Sequence, residues 1–506
     1  MPYLDKEEIR KILNLRSSDL IHPAVAERQL EVIRKGFNFL TQPENNAIYI
    51  ADEVGLGKTY IAIGIASLLR HFSDQPETYQ DVILVPKENL QTKWAKEIRQ
   101  FIRNNYCLQE NRVKSVLGHP IGIIDIKSNL SPIDADVPGY HLYRNSSMSF
   151  GLHSLSHQAV REMLLSRISD DTLREFIYEA EYLKYFHTGH RGKMKRFFAY
   201  LLSIQNPHIE CLIVDEGHNF KYGLGDSDLD DVSDRNNVAT RFFGLKRNSD
   251  EDKAIFADFP DLKKLVVPKD QKLIVLSATP KTNSLIELKR QLDCFLPKHV
   301  LSDARNEQDI EEKLNSFLIR GKMEYILSGK AFTRNQCREE HRNGNVDKHA
   351  QNQGLKIKDN IQSLVMGTLQ YNTIKHLNKK YNATFELGML AGFETFKFDQ
   401  QKRIKDDQEY EETRTRKIQS AQDEEVLSAI VNSYKDTFGT LPPHPKQDAM
   451  VDALFKLMRK GEKALVFVRR VSSAYELERR LLDKWEQEVI YLELEKWNKT
   501  DLKSDE

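Results

Sequence analysis

Apolar and polar residues follow two distinct patterns along the first 300 positions. Short runs that are apolar at every position predict strands buried on both faces. Longer stretches with apolar residues every three or four positions predict amphipathic helices. The predicted strands are Asn46–Ala51, Asp81–Pro86, Cys211–Asp215 and Lys272–Leu276, and the first two helices are Thr59–Phe72 and Glu88–Ile102. This alternation of strand and helix predicts a parallel, doubly wound α/β sheet.

Two stretches interrupt this alternation with helical patterns. Between about 151 and 205, apolar positions predict helices within Met163–Ile168, Leu173–Tyr185 and Met194–Ile204. From about 310 to 440 the pattern is again helical and strongly charged, as in Lys397–Lys417. Such a charged run is typical of a solvated helix or linker.

The strand and helix alternation returns briefly after residue 441. A helix is predicted over Gln447–Arg459, a strand over Lys463–Val468, a helix over Ser473–Trp485 and a short strand over Val489–Leu492. We therefore expect three regions: an α/β region over 1–310 with a helical insertion near 151–205, a charged helical region over 311–440, and part of a second α/β region over 441–506.

Composition excludes several classes of protein. In 506 residues, 75 Lys and Arg balance 75 Asp and Glu, which excludes an overall basic coat but leaves room for a local basic face. Four scattered cysteines form no C-x-x-C pair, which argues against a cysteine zinc site or a disulfide scaffold. The N-terminus is charged where a signal peptide would be apolar, and no apolar run is long enough for a transmembrane helix. We expect a soluble, cytoplasmic protein without membrane contacts.

The strongest chemical motif is ADEVGLGKT, residues 51–59, which lies between a predicted strand and a predicted helix. Small residues at Gly55 and Gly57 allow backbone N–H groups to approach phosphate oxygens, and the next helix points its positive end at them. Lys58 is expected to reach the β- and γ-phosphates, and the Thr59 hydroxyl to bind Mg²⁺. ATP with Mg²⁺ is therefore the predicted ligand. The candidate nucleotide-binding residues here are Asp52, Gly55, Gly57, Lys58, Thr59 and Tyr60.

A second motif, LIVDEGH at residues 212–218, places acidic residues at the end of an apolar strand. Asp215 is expected to hold the Mg²⁺ through water, and Glu216 to orient or deprotonate the attacking water. His218 would link this site to a neighbouring lobe. A strand that ends in Asp-Glu is common, so this motif indicates a metal site only because the phosphate motif lies upstream of it. In LSATP, residues 276–280, the hydroxyls of Ser277 and Thr279 are candidates to bond these carboxylates and sense the γ-phosphate.

The order of the segments ADEVGLGKT, ILVPKENLQTKWAKEI, VDEGH and LSATPKTNSLIELKRQLDCFLP resembles superfamily 2 (DEAD/DEAH-box-like) helicases, and looks most like the Swi/Snf-type DNA translocases. In that branch the phosphate loop begins Asp-Glu, which accounts for Asp52 where the strict pattern has glycine. The resemblance covers about residues 21–300 well and 441–486 moderately. It implies a P-loop NTPase fold with RecA-like lobes, and ATP hydrolysis coupled to movement on duplex DNA. Val54 is similar to bacterial members, including those of phage defence, which suggests partner subunits of a defence or remodelling complex.

The same resemblance implies roles for other residues. Gln29, in HPAVAERQLEV, would read the adenine, or else be an exposed helical residue. Trp94 is expected in the core. Two basic stretches, His190–Phe198 and Arg334–Arg342, are candidates for phosphate contacts, although the first is more typical of a helix with its Phe residues in the core. The candidate DNA contacts are Lys87, Arg144, Ser146 and Arg235.

The resemblance to a second RecA-like lobe is incomplete. Residues 441–506 are fewer than the roughly 150 that such a lobe needs. After KALVFVRR no motif resembles the one that carries the family's arginine finger. Three explanations stay open: a truncated reading frame of a longer helicase, a remainder on a separate subunit, or a degenerate lobe. The expected function is an ATP-dependent DNA motor, and the alternative is a nucleotide-gated DNA-binding or regulatory subunit with little turnover.

Overall fold

A computed structural model describes most of the chain in two compact units, Met1–Cys337 and Arg338–Glu506. The described residues are 2–18, 21–109, 111–133, 137–149, 156–187, 190–206, 208–224, 234–247, 249–280, 283–321, 324–327, 330–333, 341–342, 345–346, 360, 363–364, 367–368, 433, 436–437, 444–468 and 471–496. The predicted charged segment Lys397–Lys417 lies outside them. The predicted region boundaries near 310 and 440 stay predictions.

A seven-stranded, wholly parallel sheet forms the centre of the first unit, in the order β3-β4-β2-β5-β6-β1-β7. The strands are β1 (Ala47–Ile50), β2 (Gln80–Val85), β3 (Ile123–Lys127), β4 (Gly139–Arg144), β5 (Cys211–Asp215), β6 (Lys272–Leu276) and β7 (Leu318–Ile319). The four predicted strands correspond to β1, β2, β5 and β6, and the parallel α/β fold is confirmed. Two small antiparallel hairpins follow, β8 (Glu324–Leu327) with β9 (Lys330–Thr333), and β10 (His341–Arg342) with β11 (Asn345–Val346).

Helices cover both faces of this sheet. They are α1 (Lys6–Ile12), α2 (Pro23–Leu40), α3 (Lys58–His71), α4 (Glu88–Asn104), α5 (Asn145–Ser149), α6 (His157–Arg167), α7 (Asp171–Tyr182), α8 (Arg191–Gln205), α9 (Asp234–Phe242), α10 (Asp250–Asp258), α11 (Pro260–Leu265), α12 (Ile286–Asp293) and α13 (Glu307–Phe317). The helices predicted near 151–205 correspond to α6, α7 and α8, and their description as an insertion stays a prediction. Ser156 and Asp170 start the first two of these helices, since each side chain accepts a bond from a first-turn N–H.

The two faces of the sheet carry separate hydrophobic cores. On β1, Tyr49 faces the core beneath the insertion, whereas Ile48 and Ile50 face the core shared with α1 to α4. This opposite pointing of successive side chains is the period of a strand, and both faces are buried because helices cover both. The apolar residues at every position of β1 are therefore required on both sides.

Helices α2 and α3 approach each other closely because each has a glycine at the crossing. A Cβ on Gly36 would lie 2.6 Å from Ile65 Cδ1, and a Cβ on Gly64 would lie 2.5 Å from Ile33 Cδ1. Real Cβ atoms do not approach other heavy atoms so closely. The two glycines thus set the distance between the two helices.

The second unit contains the helices α14 (Pro445–Arg459) and α15 (Val471–Lys496), which confirms the two helices predicted there. The two predicted strands are wrong. Lys463–Val468 has no regular secondary structure, and Leu465 and Phe467 are 80% and 88% exposed. Val489–Leu492 continues α15, because no Gly or Pro interrupts the sequence between Ser473 and Lys496. None of the described helices is both long and apolar enough to span a membrane.

Candidate active site

Three loops meet at one edge of the parallel sheet. Strand β6 lies between β1 and β5, with Leu276 paired to both Ile50 and Asp215. The carboxyl ends of parallel strands share one edge, so the segments that follow, 51–57, 216–218 and 277–280, lie side by side. The phosphate motif, the acidic motif and the LSATP motif are therefore neighbours at this edge, and the roles predicted for their residues stay predictions.

The phosphate motif forms a tight loop that leads into α3. Gly55 and Gly57 have φ of 96° and 80°, and Gly57 is the N-terminal cap of the helix. These conformations favour glycine because a side chain would clash with its own backbone. The first-turn N–H groups of α3 have no intrahelical acceptor, so they form a site for an anion. Half-buried Thr59 lies in this first turn.

Lys58 folds back across the loop. Its Nζ donates to the carbonyl oxygen of Asp52 at 2.9 Å and to that of Glu53 at 3.4 Å. The ammonium therefore lies over the space that the loop encloses, and within the described ranges it bonds only these neutral carbonyl oxygens. A charge-assisted bond to a phosphate would be stronger than either of these bonds.

Asp52 lies buried beneath the loop and braces it. Its Oδ1 accepts from Arg28 Nη2 at 2.6 Å and from the backbone N–H of Gly321 at 2.7 Å. A Cβ on Gly321 would lie only 2.0 Å from Arg28 Nη2, so this position requires close backbone approach. Asp52 thus ties the start of the loop to α2 and to the segment after β7.

Gln29 and Tyr60 flank the loop. Gln29 Nε2 donates to the carbonyl oxygen of Leu56 at 3.3 Å, and a Cβ on Gly57 would lie 2.2 Å from that Nε2. The amide of Gln29 therefore rests directly on the loop backbone. Tyr60 packs edge-on against Phe101 of α4, with ring centroids 5.4 Å apart.

Asp215 at the end of β5 is held by two donors. Trp94 Nε1 donates to Oδ2 at 2.9 Å, and the backbone N–H of Glu216 donates to Oδ1 at 3.0 Å. Burial raises the pKa of Asp215, and the Trp94 bond acts in the opposite direction. Trp94 is in the core as predicted, 1% exposed, but its bond to Asp215 was missed. Sequence spacing contains no signal for that bond.

Glu216 adopts a left-handed conformation, with φ 52° and ψ 53°. Among the described residues, Lys184 is the only other non-glycine with positive φ. Gly217 starts a short 3-10 helix over Gly217–Phe220, and a Cβ on it would lie 2.3 Å from Val275 Cγ1. The turn after Asp215 is therefore pressed against β6. Strain of this kind is concentrated at functional sites.

His218 joins the acidic motif to the LSATP motif. Its Nδ1 lies 2.9 Å from Ser277 Oγ and 3.2 Å from Glu216 Oε2. The backbone N–H of exposed Thr279 donates to Ser277 Oγ at 3.2 Å. The bond from His218 lowers the pKa of Glu216 against the opposing effect of burial. The predicted bond from these hydroxyls to a carboxylate is thus replaced by an indirect one, through His218.

Three of the predicted DNA contacts lie together beside these loops. Lys87, half-buried, is the N-terminal cap of α4 after β2, and Arg144 ends the neighbouring strand β4. Arg144 Nη1 bonds Glu88 Oε2 at 2.8 Å, and its Nη2 donates to the Ser128 carbonyl at 2.7 Å. Ser146, also half-buried, lies in α5. Lys87, Arg144 and Ser146 thus share the sheet edge with the phosphate loop.

Arg235 does not lie on this surface. It is 7% exposed, its guanidinium lies 5.1 Å from the Phe220 ring centroid, and its Nη2 donates to the Asn219 carbonyl. The prediction of Arg235 as a DNA contact is corrected: α9 begins at Asp234, and the Arg235 side chain packs inward against the turn after the acidic motif.

The basic stretch His190–Phe198 lies mostly in α8, with Phe197 and Phe198 buried, as the core alternative predicts. Lys195 is also buried, and its Nζ donates to the carbonyl oxygen of Ser149 at 2.9 Å. This Lys therefore braces α5 from within. Most of Arg334–Arg342 lies outside the described residues.

Comparison with known proteins finds a family match over part of the chain. Residues 33–228 match the family model of the SNF2-related domain. The SWI2/SNF2 ATPase core of Sulfolobus solfataricus in complex with double-stranded DNA is 12% identical, with 96% of this chain and 72% of that chain covered, at a TM-score of 0.32. The Hef helicase domain of Pyrococcus furiosus is also 12% identical, with 93% of this chain and 81% of that chain covered, at a TM-score of 0.29. Such low scores add no support for a function. No curated protein matches the chain.

Proposed function

We propose that this protein is an ATP-dependent motor that moves along duplex DNA, because residues 33–228 match the family model of the SNF2-related domain, in line with the Swi/Snf-type resemblance of the sequence. The observation that carries the proposal is the meeting of three loops at one sheet edge. A glycine-rich loop, a lysine and two carboxylates lie there, and these are the groups that phosphoryl transfer to water requires. A place in a phage-defence or remodelling complex is part of the proposal and rests on the sequence resemblance.

The loop and Lys58 would bind the triphosphate. The free N–H groups at the start of α3 would donate to phosphate oxygens, and Lys58 would exchange its bonds to Asp52 and Glu53 for the β- and γ-phosphates. Gln29, held against Gly57 by its contact with the loop, would face the base. Binding would thus replace weak internal bonds with charge-assisted ones.

The acidic loop would supply the metal ligand and position the water. Thr59 and Asp215 present a hydroxyl and a carboxylate, oxygen donors of the kind Mg²⁺ prefers. From the described part of the chain each Asp215 oxygen accepts a single bond, which leaves lone pairs for a ligand or its water. Bound Mg²⁺ would neutralise charge on the phosphates. Glu216, kept ionised by His218, would orient the attacking water and accept its proton.

The bond between His218 and Ser277 would report the state of the nucleotide. Ser277 directly follows β6, which pairs with the phosphate-loop strand β1, and Thr279 is exposed at the same edge. A change at the γ-phosphate would therefore reach both strands through one hydrogen-bonded chain. The cluster of Lys87, Arg144 and Ser146 supports a DNA strand along the adjacent part of this edge.

The test is ATP hydrolysis with and without duplex DNA, in wild type, Lys58→Ala and Glu216→Gln. Lys264→Ala is the matched control, since Lys264 is exposed and paired only with Asp261. We expect DNA-stimulated hydrolysis in wild type and control, loss of nucleotide binding in Lys58→Ala, and binding without hydrolysis in Glu216→Gln. Wild-type rates in Glu216→Gln would overturn the catalytic assignment. ATP binding that Lys58→Ala abolishes, without any wild-type turnover, would replace the motor with a nucleotide-gated subunit.

A further inference from the structure

The Asp215 carboxylate is oriented by a helix that also reaches the candidate DNA surface. Trp94 lies on α4, is 1% exposed and donates its indole N–H to Asp215 Oδ2 at 2.9 Å. The other oxygen, Oδ1, accepts from the backbone of Glu216 at 3.0 Å. Among the described residues, Trp94 is therefore the only side chain that donates to Asp215.

The start of α4 lies at the candidate DNA surface. Lys87 caps the helix, and Glu88 of its first turn bonds Arg144 at 2.8 Å. Buried Gln91, between these residues and Trp94, donates to the carbonyl oxygens of Leu142 at 2.7 Å and Lys127 at 3.0 Å. A single helix thus contacts the ends of β3 and β4 at one point and the carboxylate of β5 at another.

Packing alone does not require a tryptophan at this position. A phenylalanine could fill much of the same apolar space between α4 and the sheet, whereas a buried indole N–H costs free energy unless it has an acceptor. Its acceptor here is the residue assigned to the metal. We propose that Trp94 is a positioning residue, which sets the orientation of Asp215 and conveys displacements of α4 by DNA to the nucleotide site. This inference rests on the proposed function.

The test compares Trp94→Phe with Trp485→Phe. Both substitutions keep an aromatic ring and remove an indole N–H, and Trp485 is a partly exposed residue of the second unit that packs on Phe455. Binding of a fluorescent ATP analogue is measured first in EDTA and then with increasing Mg²⁺. We expect Trp94→Phe to bind the metal-free nucleotide like wild type. The factor by which Mg²⁺ increases nucleotide affinity should be about 10-fold smaller than in wild type, as is typical for loss of a bond that orients a metal ligand. Trp485→Phe should keep the full gain.

Hydrolysis separates positioning from packing. In Trp94→Phe we expect kcat to fall and stimulation by duplex DNA to approach 1-fold, with little change in the KM for ATP at saturating Mg²⁺. A variant that melts at a lower temperature but keeps both the Mg²⁺-dependent affinity and the DNA stimulation would overturn the proposal and leave Trp94 with packing alone.

A spectroscopic measurement keeps the proposal testable if Trp94→Phe does not fold. The chain has three tryptophans, so ¹⁵N-tryptophan labelling gives three indole signals, and Trp485→Phe and Trp497→Phe identify that of Trp94 by elimination. We expect the Trp94 indole signal to shift when Mg²⁺ is added to the nucleotide-bound protein, and to shift again with duplex DNA. A signal that neither addition moves would contradict the proposal.

Discussion

The two left-handed residues, Glu216 and Lys184, allow a test of whether the active site stores backbone strain. Both have positive φ, at 52° and 60°, but only Glu216 lies among the site loops, whereas Lys184 is exposed just after α7. We predict that Glu216→Gly and Lys184→Gly both raise the free energy of unfolding. Only Glu216→Gly should abolish hydrolysis.

The expected gain follows from the backbone. A non-glycine residue in the left-handed region costs roughly 1–2 kcal/mol. Glycine removes this cost, but it also gives the unfolded chain more conformational freedom, which reduces the gain in stability by about 0.5–1 kcal/mol. The bond from the Glu216 backbone N–H to Asp215 survives the change, and the half-exposed pair with His218 contributes little at pH 8. Each substitution should therefore stabilise the first unit by about 0.5–1 kcal/mol.

Urea unfolding at pH 8, followed by circular dichroism, measures this gain alongside ATPase rates. Glu216→Gln is the matched control, because it removes the carboxylate and keeps a side chain at the strained position. It should abolish hydrolysis without stabilising the protein. A Glu216→Gly protein less stable than Glu216→Gln would refute the strain argument, and an active one would refute the role of the carboxylate.

Three further predictions concern the phosphate loop and the amino ends of β2 and β5, at the sheet edge opposite the site loops. Gly57→Ala, which forces a Cβ to 2.2 Å from Gln29 Nε2 at φ 80°, should abolish binding of a fluorescent ATP analogue. Burial raises the pKa of Glu210 to about 7, so the folded state prefers the protonated form and stability falls as pH rises from 4.5 to 7. Glu210→Gln should flatten that decline in urea titrations and add about 1–2 kcal/mol at pH 8. Asp81→Asn leaves the buried Arg70 charge uncompensated and should cost roughly 3 kcal/mol in the same assay, whereas an unchanged midpoint would contradict the burial of that pair.

The sequence predicts the central strands and misses those at the margins for a clear physical reason. Strands β1, β2, β5 and β6 are covered on both faces, so nearly every position is apolar. Strand β4 is also buried, but its His141 bonds Gln80 across the sheet, so a polar residue interrupts the pattern. Strand β3 lies at the edge with partly exposed positions, and β7 has two residues.

Local chemistry was predictable where the backbone alone decides it. The glycines of the phosphate loop and the carboxylates at a strand end follow from motif and context. Trp94 and Arg235 were not predictable in this way, because their partners lie far away in sequence or depend on a turn. The indole of Trp94 bonds a residue 121 positions later, and Arg235 lies over the buried ring of Phe220, which the turn after Glu216 positions.

The close crossing of α2 and α3 at Gly36 and Gly64 has a consequence for the proposed nucleotide site. Gln29 lies on α2 and the N–H groups proposed to bind phosphate lie at the start of α3, so the distance between the two helices would set the distance between the base and the phosphates. A residue larger than glycine at either position would therefore be expected to weaken nucleotide binding without contacting the nucleotide.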